Sequence, residues 1–170
     1  MQRFNAPWST SLKVISALGA VALIGSSVAV ALATRSTQGQ SRLADLAPLL
    51  ALLPILILGG SAPFAVLVYT ITADAIEIRR PLHTTRLPRA ELRAARVDPQ
   101  ATRGSIRLLG NGGLFSFTGL FRSATLGNYR AYFTDPHRAV VLWFFGRTVV
   151  ISPEDPEAFV AELGVPDRVA

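Results

Sequence analysis

At 170 residues, with half of them hydrophobic, a mean hydropathy of +0.38 and a net charge of +6, the chain is too apolar for an ordinary soluble domain and too short for several domains. It has no cysteine, which excludes a disulfide framework. Only five charged side chains, Arg3, Lys13, Arg35, Arg42 and Asp45, precede Asp74, so residues 1–73 read as a membrane anchor and residues 74–170 as one small domain.

Val14 to Ala33 is a run of twenty residues without a charge, enough at about 1.5 Å per residue to cross a hydrocarbon layer of about 30 Å. Arg3 and Lys13 before it and Ala31-Leu32-Ala33 within it also suit a cleaved signal peptide. A signal's apolar region is usually about 7–15 residues, however, so retention is expected. Gly25, Ala29 and Ala33 recur every fourth residue and make one face small enough for a second helix, in this chain or in a dimer.

Thr34 to Asp45 reads as a short exposed loop, and Leu46 to about Tyr69 as a second crossing helix. Pro54, Gly59, Gly60 and Pro63 predict a kink or an early end in that helix. Arg79, Arg80, Arg86, Arg89, Arg93 and Arg96 follow it, outnumbering the basic residues of the N-terminal flank and the loop. By the positive-inside bias both termini are expected in the cytoplasm, in a multi-pass protein of the plasma (inner) membrane.

Beyond the anchor, short β-branched and aromatic runs alternate with Gly, Pro, Asn and Asp, and strands are expected. Tyr69 to Ile78 reads as a first strand, and Pro88 as an edge, a bulge or a one-turn helix starting at Arg89. Ser105 to Leu109 and Leu114 to Phe117 flank the turn Gly110-Asn111-Gly112-Gly113, which predicts a hairpin. A second hairpin is predicted from Tyr129 to Thr134, the turn Asp135-Pro136-His137-Arg138, and Ala139 to Phe145, a run apolar on both faces. Gly146-Arg147 permits a further tight turn into Thr148 to Ile151. Ser152 is placed to cap a last helix, with Pro153 in its first turn, Phe159, Val160 and Leu163 on its apolar stripe and Gly164 at its end.

These features carry a resemblance. Arg86-Leu87-Pro88-Arg89-Ala90-Glu91-Leu92, the glycines Gly112, Gly113, Gly119 and Gly127 around Phe115, Phe117 and Phe121, the segment Tyr129 to Thr134, and Ser152-Pro153-Glu154-Asp155-Pro156-Glu157-Ala158-Phe159 follow one another as in the bacterial pleckstrin-homology (PH) domain family. The chain from about Tyr69 to Leu163 resembles that family, whose members commonly carry one or two membrane helices ahead of the domain. The resemblance implies two transmembrane α-helices followed by a mainly β PH-like barrel of about seven strands, closed by a C-terminal helix. It transfers a fold better than a function.

Motifs for catalysis are lacking. His83 and His137 are the only imidazoles; His137 reads as a solvated turn residue and His83, after Pro81 in a basic stretch, as equally ordinary, and no HExxH spacing is present. Ser105, Ser116 and Ser123 lack a nucleophile-elbow frame, and Gly110 to Gly113 lacks the GK[ST] ending of a phosphate loop. No catalytic residue, metal or cofactor is therefore expected. Charge is the remaining signal: twelve arginines lie between Arg79 and Arg147, against Glu91, Asp98 and Asp135. Arg79, Arg80, Arg103, Arg107 and Arg122 are the candidate contacts for anionic lipid headgroups or an acidic membrane-protein partner, with the lipid bilayer as the common partner. Nucleic acid is not expected, because the basic residues accompany neither a recognition helix nor a stacking motif. The functional expectation is a non-catalytic interaction or scaffold module at the membrane. The alternative is an accessory subunit of a larger membrane complex that meets its partners through its helices.

Overall fold

The computed structural model describes residues 1–36 and 42–167. Two long helices, α1 (Thr10–Ser36) and α2 (Arg42–Ser61), pack against each other. Ser9 caps α1, its Oγ accepting from the Leu12 N–H at 3.1 Å. The loop expected over Thr34 to Asp45 is shortened by helix at both ends, and residues 37–41 lie outside the described residues.

Thr10–Ala33 is long and apolar enough to cross a membrane, whereas the apolar part of the second helix, Pro48–Phe64, is shorter. That helix does not reach Tyr69. Ser61 turns its hydroxyl back to the carbonyls of Ile57 and Leu58, both at 2.8 Å. Pro63 then disfavours helical geometry at the residue before it, and a single 3₁₀ turn, Ala62–Phe64, delivers the chain to a strand.

The ten strands among the described residues form two sheets. The first is β1 (Gln2–Asn5), β2 (Val68–Ile71), β3 (Ala75–Arg79) and β4 (Thr84–Pro88), paired in that order and antiparallel throughout. The second runs β5 (Leu92–Val97), β9 (Val140–Phe144), β10 (Arg147–Ile151), β8 (Gly127–Phe133), β7 (Phe117–Ser123), β6 (Ile106–Gly112). Helix α3 (Pro156–Leu163) packs on β5.

This is a PH-like sandwich with its C-terminal helix, but not the closed barrel of about seven strands, because the two sheets share no ladder. Pro88 ends β4 without an N–H to donate, and the 3₁₀ turn Arg89–Glu91 carries the chain from one sheet to the other.

Four further readings change. Tyr69 to Ile78 is a hairpin rather than one strand: the Thr72 N–H and hydroxyl both bond the Ala75 carbonyl and turn the chain. In the glycine hairpin the strands run further than expected, so the turn falls at Gly113–Ser116. The hairpin expected from Tyr129 to Phe145 does not form, because the tight β9–β10 hairpin at Gly146 inserts β10 between them, parallel to β8. Ser152 does not cap α3: Asp155 does so, accepting from the Ala158 N–H, with Pro156 in the first turn.

The largest departure lies at the N-terminus, where no element was expected. β1 pairs with β2 in register from Gln2–Ile71 to Asn5–Val68, and Phe4 enters the main core beside Tyr69, Ile78, Leu142 and Phe159. The domain's first sheet thus draws on both ends of the segment read as anchor.

Tyr69 stitches the sandwich together. Its buried hydroxyl donates to the Tyr132 carbonyl at 2.7 Å and accepts from the Ser152 N–H at 3.2 Å. Burial pushes this phenol far above its ordinary value of 10.0, with the Ser152 contact a smaller opposing effect. The unfolded chain loses this proton near pH 10 and the folded one keeps it, so the stabilisation is complete below pH 10 and declines above it. For one group the slope is at most about 1.4 kcal/mol per pH unit. Urea titrations above pH 10 should show this decline, and Tyr69→Phe should remove this residue's share of it; an unchanged slope in that variant would refute the assignment.

Candidate functional site

The helices are rooted in the sandwich by polar contacts at their bases. A helix end leaves carbonyls without intrahelical partners. Here the hydroxyls of Ser116, just before β7, and Thr118, within it, both buried, donate to the Phe64 carbonyl at 2.7 and 3.0 Å. At α1, Thr134 donates to the Pro7 carbonyl at 2.8 Å, and the Ser9 N–H bonds the Thr134 carbonyl at 3.3 Å.

Further along α1 the β6–β7 turn lies against the helix. Ser16 is buried; its Oγ donates to the Gly113 carbonyl at 3.3 Å and accepts from the Phe115 N–H at 3.0 Å. This holds Phe115 at a φ of 70°, a conformation unusual for a side chain of that size. Trp8 packs on the Phe115 ring at 6.1 Å. The second sheet therefore reaches up beside the first two turns of α1 and the last two of α2.

Three adjoining cavities lie along the outer strands of that sheet, the first of them against α2. One of about 470 Å³ is bordered by Ile57, Gly60, Ser61 and Phe64 on the helix side and by Arg107, Gly110, Asn111 and Leu114 on the hairpin. A second, of about 410 Å³, shares Phe64 and Gly110 with it and adds Arg80, Leu109, Thr118, Gly119 and Tyr132. The third, of about 280 Å³, extends past Leu120 to Arg130.

The floor of this crevice depends on glycine. Gly110 and Gly119 face each other across β6 and β7 at φ 109° and 139°. A Cβ on either would come within 2.3 Å or 2.2 Å of a carbonyl oxygen of the opposite strand. Gly112 serves differently: a Cβ there would meet the Arg107 side chain at 2.9 Å, so its absence lets Arg107 fold over the hairpin and donate to the Gly110 carbonyl at 3.3 Å.

The five arginines singled out by sequence do not form one patch. Arg80 and Arg107 reach the crevice. Arg79 is exposed at the end of β3. Arg122, opposite Ile106, and Arg103, in the connection before β6, sit at the other end of the hairpin, away from the turn that meets α1. Arg130 is not among those five, although its alternation with Tyr132 along β8 places both on one face. Of the predicted small face on α1, Gly25, Ala29 and Ala33 are exposed, and a Cβ at Gly25 would meet nothing within 4 Å; the polar contact to the hairpin comes from Ser16 instead.

Searches of the curated proteins and of the solved structures found no match. The model of the bacterial PH domain family matches residues 67–165, from just ahead of β2 to just past α3 and more than half of the chain, so the protein belongs to that family.

Proposed function

We propose that this protein is a non-catalytic interaction module whose PH domain is fixed to the face of a membrane by two crossing helices. The pairing of β1 with β2 carries this reading. The chain leaves the first sheet at Asn5 and re-enters it at Val68, so whatever lies between must begin and end on one side of a bilayer. If α1 crosses, α2 must cross back; its apolar stretch, Pro48–Phe64, is shorter than that of α1, while the whole helix from Arg42 to Ser61 is about 30 Å long.

The surface supports this arrangement. Leu18, Val21, Ile24, Val28 and Leu32 on α1, and Leu49, Leu53 and Leu56 on α2, are about half exposed or more, an apolar area that water would not tolerate. Retention of α1 fits as well: cleavage after Ala33 would remove β1 and with it Phe4 from the core. The arginines after β2 favour the cytoplasmic side for the domain. The outward-facing Gly25 and Ala29 favour the second reading, an accessory subunit that contacts a partner helix through α1.

Because the chain lacks cysteine, single cysteines report topology directly. With an impermeant thiol reagent on intact cells, Gln40→Cys should be labelled, whereas Gln2→Cys and Asn128→Cys should be labelled only after permeabilisation. The opposite pattern would reverse the orientation, and labelling of all three from one side would refute two crossings.

A further inference from the structure

We propose that the crevice between α2 and the β6–β7 hairpin holds one phospholipid of the adjacent leaflet, its phosphate at Arg80 and Arg107 and its chain along the last turns of α2. The inference rests on the two-crossing reading and adds to it a discrete ligand site.

The charge lining the crevice is of one sign. Arg107, Arg80 and Arg130 each border one of the three adjoining cavities, and no carboxylate among the described residues borders any of them. Among the described ion pairs, Arg86, Arg96, Arg138 and Arg147 have acidic partners, whereas Arg80 and Arg107 have none. Arg80 is half-buried: its Nη2 donates to Thr85 Oγ1 at 2.8 Å and its guanidinium lies 5.6 Å from the Tyr132 ring centroid. Its Nε is fully shielded from solvent and has no hydrogen-bond partner among the described residues. A guanidinium drawn out of water without a counter-charge is costly, and an anion in the cavity it borders offsets that cost. Arg147 also has an unbonded Nε, but that side chain is paired to Glu91 at 2.8 Å.

The rest of the lining selects an amphiphile over a free anion. Phe64, Leu109 and Tyr132 wall the cavity at Arg80; the paired glycines add no side chain to its floor, and the Thr118 hydroxyl there is already donated to the Phe64 carbonyl. The adjoining cavity continues along Ile57, Gly60 and Ser61, the part of the helix that the topology places at the bilayer surface. A phosphodiester with an attached chain satisfies both ends of the crevice; a soluble phosphate would leave the apolar wall in water.

Native mass spectrometry of the full chain in mild detergent, titrated with phosphatidylglycerol, tests this. A single preferred adduct is expected, favoured over phosphatidylcholine and not displaced by glycerol phosphate. Arg80→Met and Arg107→Met should each lower its occupancy about tenfold, the loss of one charge-assisted contact. Arg107 is exposed, so its variant keeps the test valid should Arg80→Met misfold. Arg103→Met and Arg122→Met, at the far end of the hairpin, should leave it unchanged. Wild-type occupancy in a folded Arg107→Met, adducts without a preferred first one, or displacement by glycerol phosphate would overturn the proposal. The cysteine labelling is independent: the expected topology without a discrete adduct would remove only this site.

Discussion

Phe4→Ala is expected to destabilise the β domain by about 3–5 kcal/mol, although Phe4 precedes the first apolar helix and is separated from the family-matching region by more than sixty residues. Its ring is 4% exposed and meets Phe159 of α3 edge-on, with centroids 5.0 Å apart. Truncation leaves a cavity where β1, β2 and α3 converge, with little freedom to collapse because the backbone on either side is fixed. The ladder to β2 holds it on one side. On the other, Asn5 is tied to Glu154: its N–H and its side-chain amide each donate to one carboxylate oxygen at 3.0 Å, and the Glu154 N–H returns a bond to the Asn5 carbonyl at 2.9 Å. These bonds also hold the Glu154 carboxyl below its ordinary value. Urea unfolding of the full chain in detergent, followed by tryptophan fluorescence, measures the change. A loss under about 1 kcal/mol would show that β1 does not belong to the folded unit.

The N-terminal strand carries no local sign of this role. Gln2–Asn5 is four residues with one core side chain, too short for period-two alternation to register. Its strand character comes from β2, a partner more than sixty residues away, and pairing at that distance leaves no local trace. The elements that were legible carry their own signals. Gly164 takes a left-handed φ of 62° at the end of α3, and Gly146 takes 74° in the β9–β10 turn, as their positions implied. Elsewhere tertiary contacts override a sound local pattern. Tyr129 to Thr134 and Ala139 to Phe145 are both good strands, but nothing in either predicts that β10 lies between them. Ser152 has the chemistry of a helix cap, yet its hydroxyl is taken by the N–H groups of Thr134 and Asp135 at 2.9 and 3.2 Å. The candidate site was half visible for the same reason. Arginine content pointed to Arg80 and Arg107, while the crevice that joins them arises from the meeting of α2 with β6 and β7.

Gly119→Ala is expected to cost about 3 kcal/mol or more, and to abolish lipid occupancy of the crevice together with the loss of stability. Two effects combine at this position. A φ of 139° is strained for any L side chain, at a cost of order 1–3 kcal/mol. The added Cβ would also lie 2.2 Å from the Leu109 carbonyl oxygen and 2.8 Å from the Gly110 Cα, both backbone atoms that cannot rotate away. β6 would have to move off β7, and the close approach that makes the crevice floor would be lost. Gly127→Ala separates the two effects. Gly127 also has a left-handed φ, 64°, but a Cβ there meets nothing within 4 Å, so only about 1–2 kcal/mol of conformational cost is expected. Most of the difference between the variants' unfolding free energies is the contribution of the strand approach, the remainder being the greater backbone cost at φ 139° than at φ 64°. Equal losses would mean that β6 and β7 can separate freely, and the floor between Arg80 and Arg107 would then be too compliant to hold a ligand in place.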